Sequence, residues 1–339
     1  MSGLLEVMRM DIMTGVVYPV AGLVGLYIFV SLASLIWEGI DRKLVARMQR
    51  RVGPPLLQPL YDFFKLASKE TIIPNTSNFM FRAAPVLSLA TAIALLAYTP
   101  MGFEPILTSK GDIIVFIYLL ALLSLFKILG AISSGNPYAK IGAAREAAIM
   151  VSREPAMMLA IFAIMWRLGK LGIEKPFSMS VFYQHNIWEI GTPMSLVGAL
   201  ILLYVFIVWL ASEIEVGFFN IPDAEEEIAE GLLVEYSGRY LALFKLTKAL
   251  KAFISASLIV AIFFPWGISG YLGLTDYAAT IADLLFHTLK VFLLLFAVQS
   301  IFRATTGRLK ITQAVDFLWK NVFLASLLGS LLIAMEVIM

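Results

Sequence analysis

The chain of 339 residues is a series of long apolar stretches separated by short polar ones. Eight stretches are long enough, or nearly so, to cross a bilayer as α-helices, which need about 20 predominantly apolar residues. They lie at 16–37, 84–98 (with a start near residue 79), 113–132, 147–166, 193–210, 241–264, 281–302 and 322–337. Their apolar residues are continuous rather than alternating, and lipid offers no partner to an open sheet edge. The pattern predicts an all-α polytopic membrane protein with about eight transmembrane helices.

The composition fits this class and excludes several others. Hydrophobic residues make up 60% of the chain and charged residues 15%, against about 25% charged residues in soluble domains. Cysteine is absent and there are two histidines, which excludes disulfides, thiolate-held iron–sulfur clusters and a three-histidine metal site. The net charge of +2 creates no field that would recruit nucleic acid. We expect one integral membrane domain over residues 1–339, with any redox cofactor in another chain.

Basic residues cluster in the segment 39–82, which carries eight of the chain's 26 lysines and arginines. Because short cytoplasmic loops carry an excess of Lys and Arg, this segment is predicted to be a cytoplasmic loop. Eight spans then place both termini outside, in a multi-pass protein of the cell membrane.

Part of this basic segment is amphipathic. Between residues 56 and 68, apolar side chains recur at helical spacing and charged ones lie on the other face. This pattern predicts a short cytoplasmic helix lying in the membrane interface. Arg47, Arg50 and Arg51 would then face a cytoplasmic partner. A plain positive-inside anchor is the alternative for the other bases of the segment.

The segment 211–239 has the opposite charge and is predicted to be an acidic cytoplasmic loop, with eight of the chain's 24 acidic residues and one base. Four of its acids recur at helical spacing and predict one acidic face of a helix: Asp223, Glu226, Glu227 and Glu230. Apolar residues interrupt the segment, and crowded carboxylates raise one another's pKa. The segment therefore indicates proton carriers, and a solvated helix face is the alternative.

Charged residues also enter two apolar stretches. Glu146 and Glu154 lie on one helical face of the fourth stretch, beside Arg145 and Arg153. A charge within a membrane helix is a functional hypothesis by default, and a structural Arg–Glu pair at the membrane edge is the alternative.

The seventh stretch contains Asp283, His287 and Lys290 at i, i+4 and i+7. This row predicts an intramembrane proton relay that Lys251 could join from the sixth stretch. A structural triad holding helices together is the alternative. Three other lysines are explained by snorkelling to the interface: Lys127, Lys245 and Lys248.

Taken together, these segments resemble the NADH dehydrogenase subunit 1 family, the membrane subunit of respiratory complex I and of energy-converting membrane-bound hydrogenases. The family's acidic-Arg-Lys, Gln-x-Arg-x-Gly-Pro and Leu-Leu-Gln-Pro signature is present, in this order, at 41–43, 49–54 and 56–59. Its Glu-x(11)-Glu loop is present at 213–225, and residues 134–146 are similar to the hydrogenase-type version of its third loop.

Two substitutions depart from the family's quinone-reducing members, which usually carry Glu-Thr-Asn-Arg-x-Pro-Phe-Asp. Val216 stands at the arginine and Asn220 at the aspartate, and the linker after Gly53 is shortened. These changes lie where the family's quinone chamber would be. They favour a ferredoxin-driven hydrogenase or a sulfur-reducing relative.

The resemblance implies a membrane-anchor and coupling subunit of an ion-translocating oxidoreductase, without a redox centre of its own. Its expected partners are a peripheral arm with iron–sulfur and hydrogenase-like large subunits, antiporter-like membrane subunits and the bilayer. Iron–sulfur clusters, and a nickel–iron centre in a hydrogenase, would belong to those partners. The alternatives are the quinone-chamber subunit of a complex I and a stand-alone secondary transporter, although a lone carrier needs no basic and acidic loops of this size.

The site residues follow from these assignments. The expected proton path comprises Glu213, Glu215, Asp223, Glu225, Glu227, Glu146, Glu154 and Glu235. The residues expected to dock the peripheral arm are Arg42, Arg47, Arg50, Arg51, Gln58 and Pro59.

Overall fold

The computed structural model describes residues 18–109, 111–173, 175–188 and 192–338, and every regular element among them is helical. The long helices are α1 (Tyr18–Met48), α2 (Gln58–Ser68), α3 (Phe79–Tyr98), α4 (Asp112–Ser133), α5 (Pro137–Lys170), α6 (Pro193–Glu213), α7 (Gly238–Phe263), α8 (Asp276–Thr305) and α9 (Ile311–Glu336). All of them except α2 are long and apolar enough to span a membrane. This confirms the predicted class and the eight spans.

Helix α7 is the centre of the bundle. In its most apolar stretch 89% of the residues are buried, against 28–56% in the other seven spans of the described chain. It packs against α1, α2, α3, α6 and α8. The outer spans expose rows of large apolar side chains, such as Ile28, Leu32 and Ile36 on α1, as expected for surfaces in contact with lipid or neighbouring membrane chains.

Helix α2 corresponds to the predicted amphipathic helix, although it begins at Gln58 rather than at residue 56. Pro59 occupies its first turn, where the missing N–H costs nothing because the first N–H groups of a helix have no partner within it. Leu60 and Phe63 pack against the core, whereas Tyr61 and Phe64 are 57% and 60% exposed.

Several helices extend beyond the predicted apolar stretches. Helix α1 continues to Met48, so the first ten residues of the basic segment 39–82 are helical. Helix α5 begins at Pro137, ten residues before the predicted start, after Asn136 accepts a capping hydrogen bond from the Tyr138 N–H. These extensions lie at the end of the bundle that carries the basic and acidic segments, which we call the charged end.

The chain after α1 folds back along that helix. Gly39 makes this possible, because a Cβ at that position would stand 1.8 Å from the Leu56 carbonyl oxygen. The loop thereby brings α2 beside α1, where Arg42 bonds Asp62 at 3.2 Å.

We expect Gly39→Ala to destabilise the protein by about 1–3 kcal/mol, because overpacking must displace the Leu56 backbone. Thermal unfolding of the purified protein in detergent measures this. Gly25→Ala is the matched control on the same helix, since no atom lies within 4 Å of the added methyl. Equal melting temperatures for wild type and Gly39→Ala would contradict the close contact.

Candidate functional site: a buried ion-pair network

A fully buried guanidinium lies in the middle of the bundle. The Arg153 side chain on α5 has no exposed surface, and its Nε lies 2.6 Å from Glu213 Oε2 at the end of α6. Its Nη2 lies 3.2 Å from Glu146 Oε1, two helical turns earlier on α5, and Nε is 3.7 Å from Glu154. Burial of an arginine is tolerated when carboxylates surround it in this way.

Helices α4 and α7 complete this group. Lys251 Nζ on α7 lies 2.7 Å from Glu213 Oε1, and the Ser124 hydroxyl on α4 accepts hydrogen bonds from both Lys251 and Arg153. We call the five charged residues the inner cluster: Glu146, Arg153, Glu154, Glu213 and Lys251. Four membrane helices therefore meet at one set of charges.

A second group of charges lies beside it, toward the charged end. Lys127 Nζ is 2.8 Å from Glu215 and 3.1 Å from Asp223, and Lys248 Nζ is 2.8 Å and 2.9 Å from the same two carboxylates. We call these four residues the outer cluster. Two acids and two bases balance its charge.

Glu215 is the best buried acid of the outer cluster, and it follows α6 directly. Burial would raise the pKa of its carboxyl, but the Lys127 and Lys248 ammonium groups outweigh burial and hold the pKa well below its ordinary value. Its φ of +55° is left-handed, a conformation that is unfavourable for residues other than glycine. The ion pairs hold the carboxylate in this position.

The two clusters are joined through α6 and through a small cavity. Ile214 alone separates Glu213 from Glu215 along the chain. A cavity of about 30 Å³ is lined by both of these acids and by Lys127, Lys248 and Lys251, and this volume is sufficient for one water molecule. The arrangement permits a proton to pass between clusters through water.

A larger cavity opens from the outer cluster. Its volume is about 300 Å³, and its walls include Glu215, Asp223 and Lys248 together with Val216 and Asn220. Helices α1, α7 and α8 form its other walls. The outer cluster thus contacts a water-sized space at the charged end, whereas the inner cluster lies behind it.

The charges of the inner cluster do not balance. It contains three carboxyl groups and two bases, so one carboxyl is in excess. Both oxygens of Glu154 are buried without a hydrogen-bond donor in the described part of the chain. An uncompensated buried charge is costly, and one proton shared among the three carboxyl groups would balance the cluster. No group of three His, Asp or Glu side chains among the described residues could hold a metal ion.

The structure brings together five of the eight acids expected in the proton path: Glu146, Glu154, Glu213, Glu215 and Asp223. Glu227 instead pairs with Arg145 near the surface, and Glu235 accepts a hydrogen bond from Asn136. The side chain of Glu225 lies outside the described residues.

The predicted acidic helix is wrong as a continuous element. Only Glu225–Ile228 forms one helical turn, and Ala229 and Glu230 have left-handed φ values of 48° and 69°. The turn ends because Gly231 packs closely under Pro222, where an added Cβ would lie 2.2 Å from the proline oxygen. Ion pairs with lysines on α4 and α7, rather than a helix face, collect the acids.

The predicted relay on α8 is not a connected row, and the structure agrees with the structural alternative. Asp283 accepts hydrogen bonds from the Ile268 and Ser269 N–H groups, and Lys290 donates to the Phe264 and Trp266 carbonyls. The fourth member, Lys251, belongs to the inner cluster instead.

The third residue of that row also has a partner on another helix. His287 Nε2 lies 2.6 Å from the Ser257 hydroxyl of α7. Each member of the row therefore fastens α8 to α7 or to the loop after it.

Snorkelling is the wrong explanation for Lys127 and Lys248, since both bind the outer cluster. Charge complementarity with the acidic segment was the available signal. Asp41 was also missed as a site residue. It is fully buried and accepts hydrogen bonds from Ser300 and Arg303 of α8, where a π-helical turn, Phe296–Ser300, aims Ser300 at α1.

The expected docking residues divide into two groups. Arg47, Arg50 and Arg51 are exposed at the end of α1, as a docking role requires. The other three have roles inside the chain: Arg42 pairs with Glu38 and Asp62, Gln58 donates to Asp62, and Pro59 is buried.

This architecture, eight spans around a buried ion-pair network with charged segments at one end, defines a membrane subunit of the complex I type. The chain belongs to the NADH dehydrogenase subunit 1 family, as the family model described as NADH dehydrogenase matches residues 21–334. It is a complex I-related membrane subunit of the kind found in hydrogenase and oxidoreductase complexes.

Individual relatives support the same assignment. Hydrogenase-4 component C of Escherichia coli (strain K12) is 33% identical over 296 residues, 86% of this chain and 89% of that protein. A membrane component of the NADH-quinone oxidoreductase of Brevibacillus brevis is 32% identical over 308 residues, 88% and 86% of the two chains. A chain in the structure of the membrane-bound sulfane sulfur reductase, an archaeal respiratory membrane complex, superposes with a TM-score of 0.80 at 25% identity, covering 93% of this chain and 99% of that chain.

The ion pairs of Glu215 predict a pH-dependent stability. Because the folded-state pKa of this carboxyl is lowered, its carboxylate stabilises the fold above the ordinary carboxyl pKa, and the contribution is lost as pH falls through the folded-state pKa. At pH 7 we expect Glu215→Gln to lower stability by on the order of 3 kcal/mol. The difference from wild type should narrow as pH falls below about 4.

Thermal unfolding of both proteins in detergent across this pH range is the measurement. Glu70→Gln, at an exposed acid of the charged end, should melt like wild type at every pH. A Glu215→Gln difference that stays constant with pH would show that the carboxylate charge does not contribute.

Proposed function

We propose that this chain couples the redox reaction of a peripheral arm to ion translocation, by moving protons through the inner and outer clusters. The observation that carries the proposal is the excess carboxyl in a buried cluster of three acids and two bases. Such a cluster changes charge with little rearrangement when one proton enters or leaves it. A structural ion pair alone would need only one acid for each base.

The proposed path begins at the large cavity. A proton taken up from the cavity would reach Glu215 or Asp223, displacing part of the attraction of Lys127 and Lys248. The small cavity between the clusters would carry it to Glu213, and Arg153 would redistribute its pairing among Glu213, Glu146 and Glu154. The Arg153 guanidinium stays charged throughout, so the acids carry the proton.

The charged end is proposed to face the cytoplasm, with both termini outside. The excess of lysines and arginines in the segment 39–82 supports this orientation. Arg47 and Arg50 extend past the last turns of α1 and are proposed to dock a peripheral arm that holds the iron–sulfur clusters. Other membrane subunits, of the antiporter-like kind, are proposed to continue the translocation pathway.

The relatives bear on which redox reaction is involved. One is named as a hydrogenase component, one as part of a quinone oxidoreductase, and one belongs to a sulfane sulfur reductase. Val216 and Asn220 line the large cavity here, at positions where quinone-reducing members usually carry an arginine and an aspartate. We therefore propose a hydrogenase-type or sulfur-reductase-type complex.

Coupling is tested by Glu213→Gln. Glutamine keeps the size of the side chain but carries no exchangeable acid proton, so ion uptake into sealed vesicles should fall about tenfold or more, together with the electron transfer coupled to it. The arm should remain bound and should still reduce an artificial acceptor. Glu70→Gln, outside both clusters, is the control. Wild-type ion uptake by Glu213→Gln complexes with intact arms would refute the proton path.

Docking is tested by reversing charge at Arg47 and Arg50 together. The double Arg→Glu variant should insert normally but lose the peripheral subunits from membranes, because like charges repel at the contact. The wild-type arm should loosen at high salt, since exposed charge pairs are screened. Quantitative immunoblotting of washed membranes measures both effects. The matched control is Arg308→Glu with Lys310→Glu, and an arm retained by the Arg47 and Arg50 variant would exclude the docking role.

The acceptor is tested with quinones and quinone-site inhibitors. If Val216 and Asn220 reflect the absence of a quinone site, the purified complex should not reduce added quinone, and inhibitors should leave its activity unchanged. Steady-state electron transfer with and without each compound is the measurement. Inhibition at low micromolar concentration would instead support the quinone-chamber alternative.

A further inference from the structure

An arginine-lined groove lies at the charged end, on the lateral side of α1. Its volume is about 300 Å³, and it is open to the outside. It is lined by Arg42, Val45, Ala46, Arg51, Gly53, Pro54 and Arg303. Three guanidinium groups from α1, the following loop and α8 thus surround small apolar side chains, and the lining contains no acid.

The groove keeps a positive charge after its internal ion pairs are counted. Arg303 pairs with Asp41, and Arg42 pairs with Glu38 and Asp62. The Arg51 guanidinium donates to Gln49 and has no acidic partner within the described residues. The exposed bases Arg47 and Arg50 add to the positive field.

The groove lies at the depth where membrane helices end. Helix α1 ends at Met48 and α8 at Thr305. From there the chain returns along α1, since Gly53 packs on Ala46 and the Leu56 carbonyl on Gly39. This return places apolar side chains beside the arginines, and they are largely exposed: Val52 is 76%, Leu56 42% and Leu57 43% exposed.

We propose that this groove binds the phosphate headgroup of an anionic phospholipid, a ligand beyond the proposed coupling function. Arg51 and the exposed side of Arg303 would donate to the phosphate oxygens, because guanidinium groups match phosphate geometry in two parallel hydrogen bonds. The acyl chains would lie against Val52, Leu56 and Leu57. Exposed apolar side chains next to bases at a helix end match the two halves of a lipid molecule.

The lipid would also close one side of the large cavity. Arg42 and Arg303 line both the groove and that cavity, so their side chains form the partition between them. A headgroup held in the groove would keep this partition in place and separate the cavity from the bilayer.

The experiment measures lipid retained by the intact complex. Complexes are reconstituted in nanodiscs of phosphatidylcholine with one fifth phosphatidylglycerol, extracted in mild detergent, and analysed by native mass spectrometry for bound lipid. Wild type should retain phosphatidylglycerol in preference to phosphatidylcholine. Arg51→Gln should weaken phosphatidylglycerol retention about tenfold, because one charge-assisted contact is lost. Arg51→Gln with Arg303→Gln should abolish the preference.

The single Arg51→Gln variant keeps the test valid if loss of the Arg303–Asp41 pair disturbs folding. Arg82→Gln, at an exposed base outside the groove, should retain lipid like wild type. Equal retention of the two lipids by wild type would overturn the proposal, as would unchanged phosphatidylglycerol retention in Arg51→Gln. Loss of peripheral subunits, with lipid retained, from the Arg51→Gln complex would assign the groove to a protein partner and equally overturn it.

Discussion

The structure depends on one constraint, the complete burial of the Arg153 guanidinium among membrane helices. An arginine cannot lose its proton, and an isolated charge in so apolar a setting would cost far more than a fold can tolerate. The fold meets this constraint by ending α6 at Glu213 and by placing Glu146 two turns away on α5. The relative positions of α5, α6 and α7 follow from these contacts, because Lys251 must reach the same Glu213 carboxylate.

The two clusters differ in a way that suits a coupling site. The outer cluster is balanced, adjoins a cavity and holds Glu215 in a left-handed conformation. The inner cluster is unbalanced and enclosed. A change at the cavity wall that moves Lys248 would weaken the hold on Glu215 and so alter the end of α6, where Glu213 lies. Electrostatic and conformational signals therefore share one short path along the chain, through Ile214.

Much of the fold was predictable because it depends on local composition. The eight spans follow from stretches of about 20 apolar residues, and the interfacial helix follows from its spacing. The helix extensions at the charged end were missed because capped helices continue into polar sequence, as α5 does from Asn136. Periodicity also suggested an acidic helix, whereas the close packing of Gly231 under Pro222 breaks it.

The site was predicted less completely than the fold. The acids were identified because they are conspicuous in apolar surroundings, but their lysine partners lie 88 and 33 positions from Glu215 in sequence. No local pattern distinguishes Lys127, which binds two carboxylates, from a lysine that reaches the interface. The same reason explains why the row on α8 suggested a relay, although each of its members bonds a different part of α7 or the following loop.

The order of charges along the chain has a consequence for biogenesis. Helices α5 and α6 leave the ribosome with three acids of the inner cluster and one base, and Lys251 follows only with α7. Until α7 enters the bilayer, the half-made bundle carries an acidic excess that lipid does not solvate. Helix α7 carries three lysines of its own, so it is itself a poor candidate for insertion alone. Each partner makes the other's entry into the membrane acceptable, which makes insertion of the last third of the chain cooperative with what the translocon has already released.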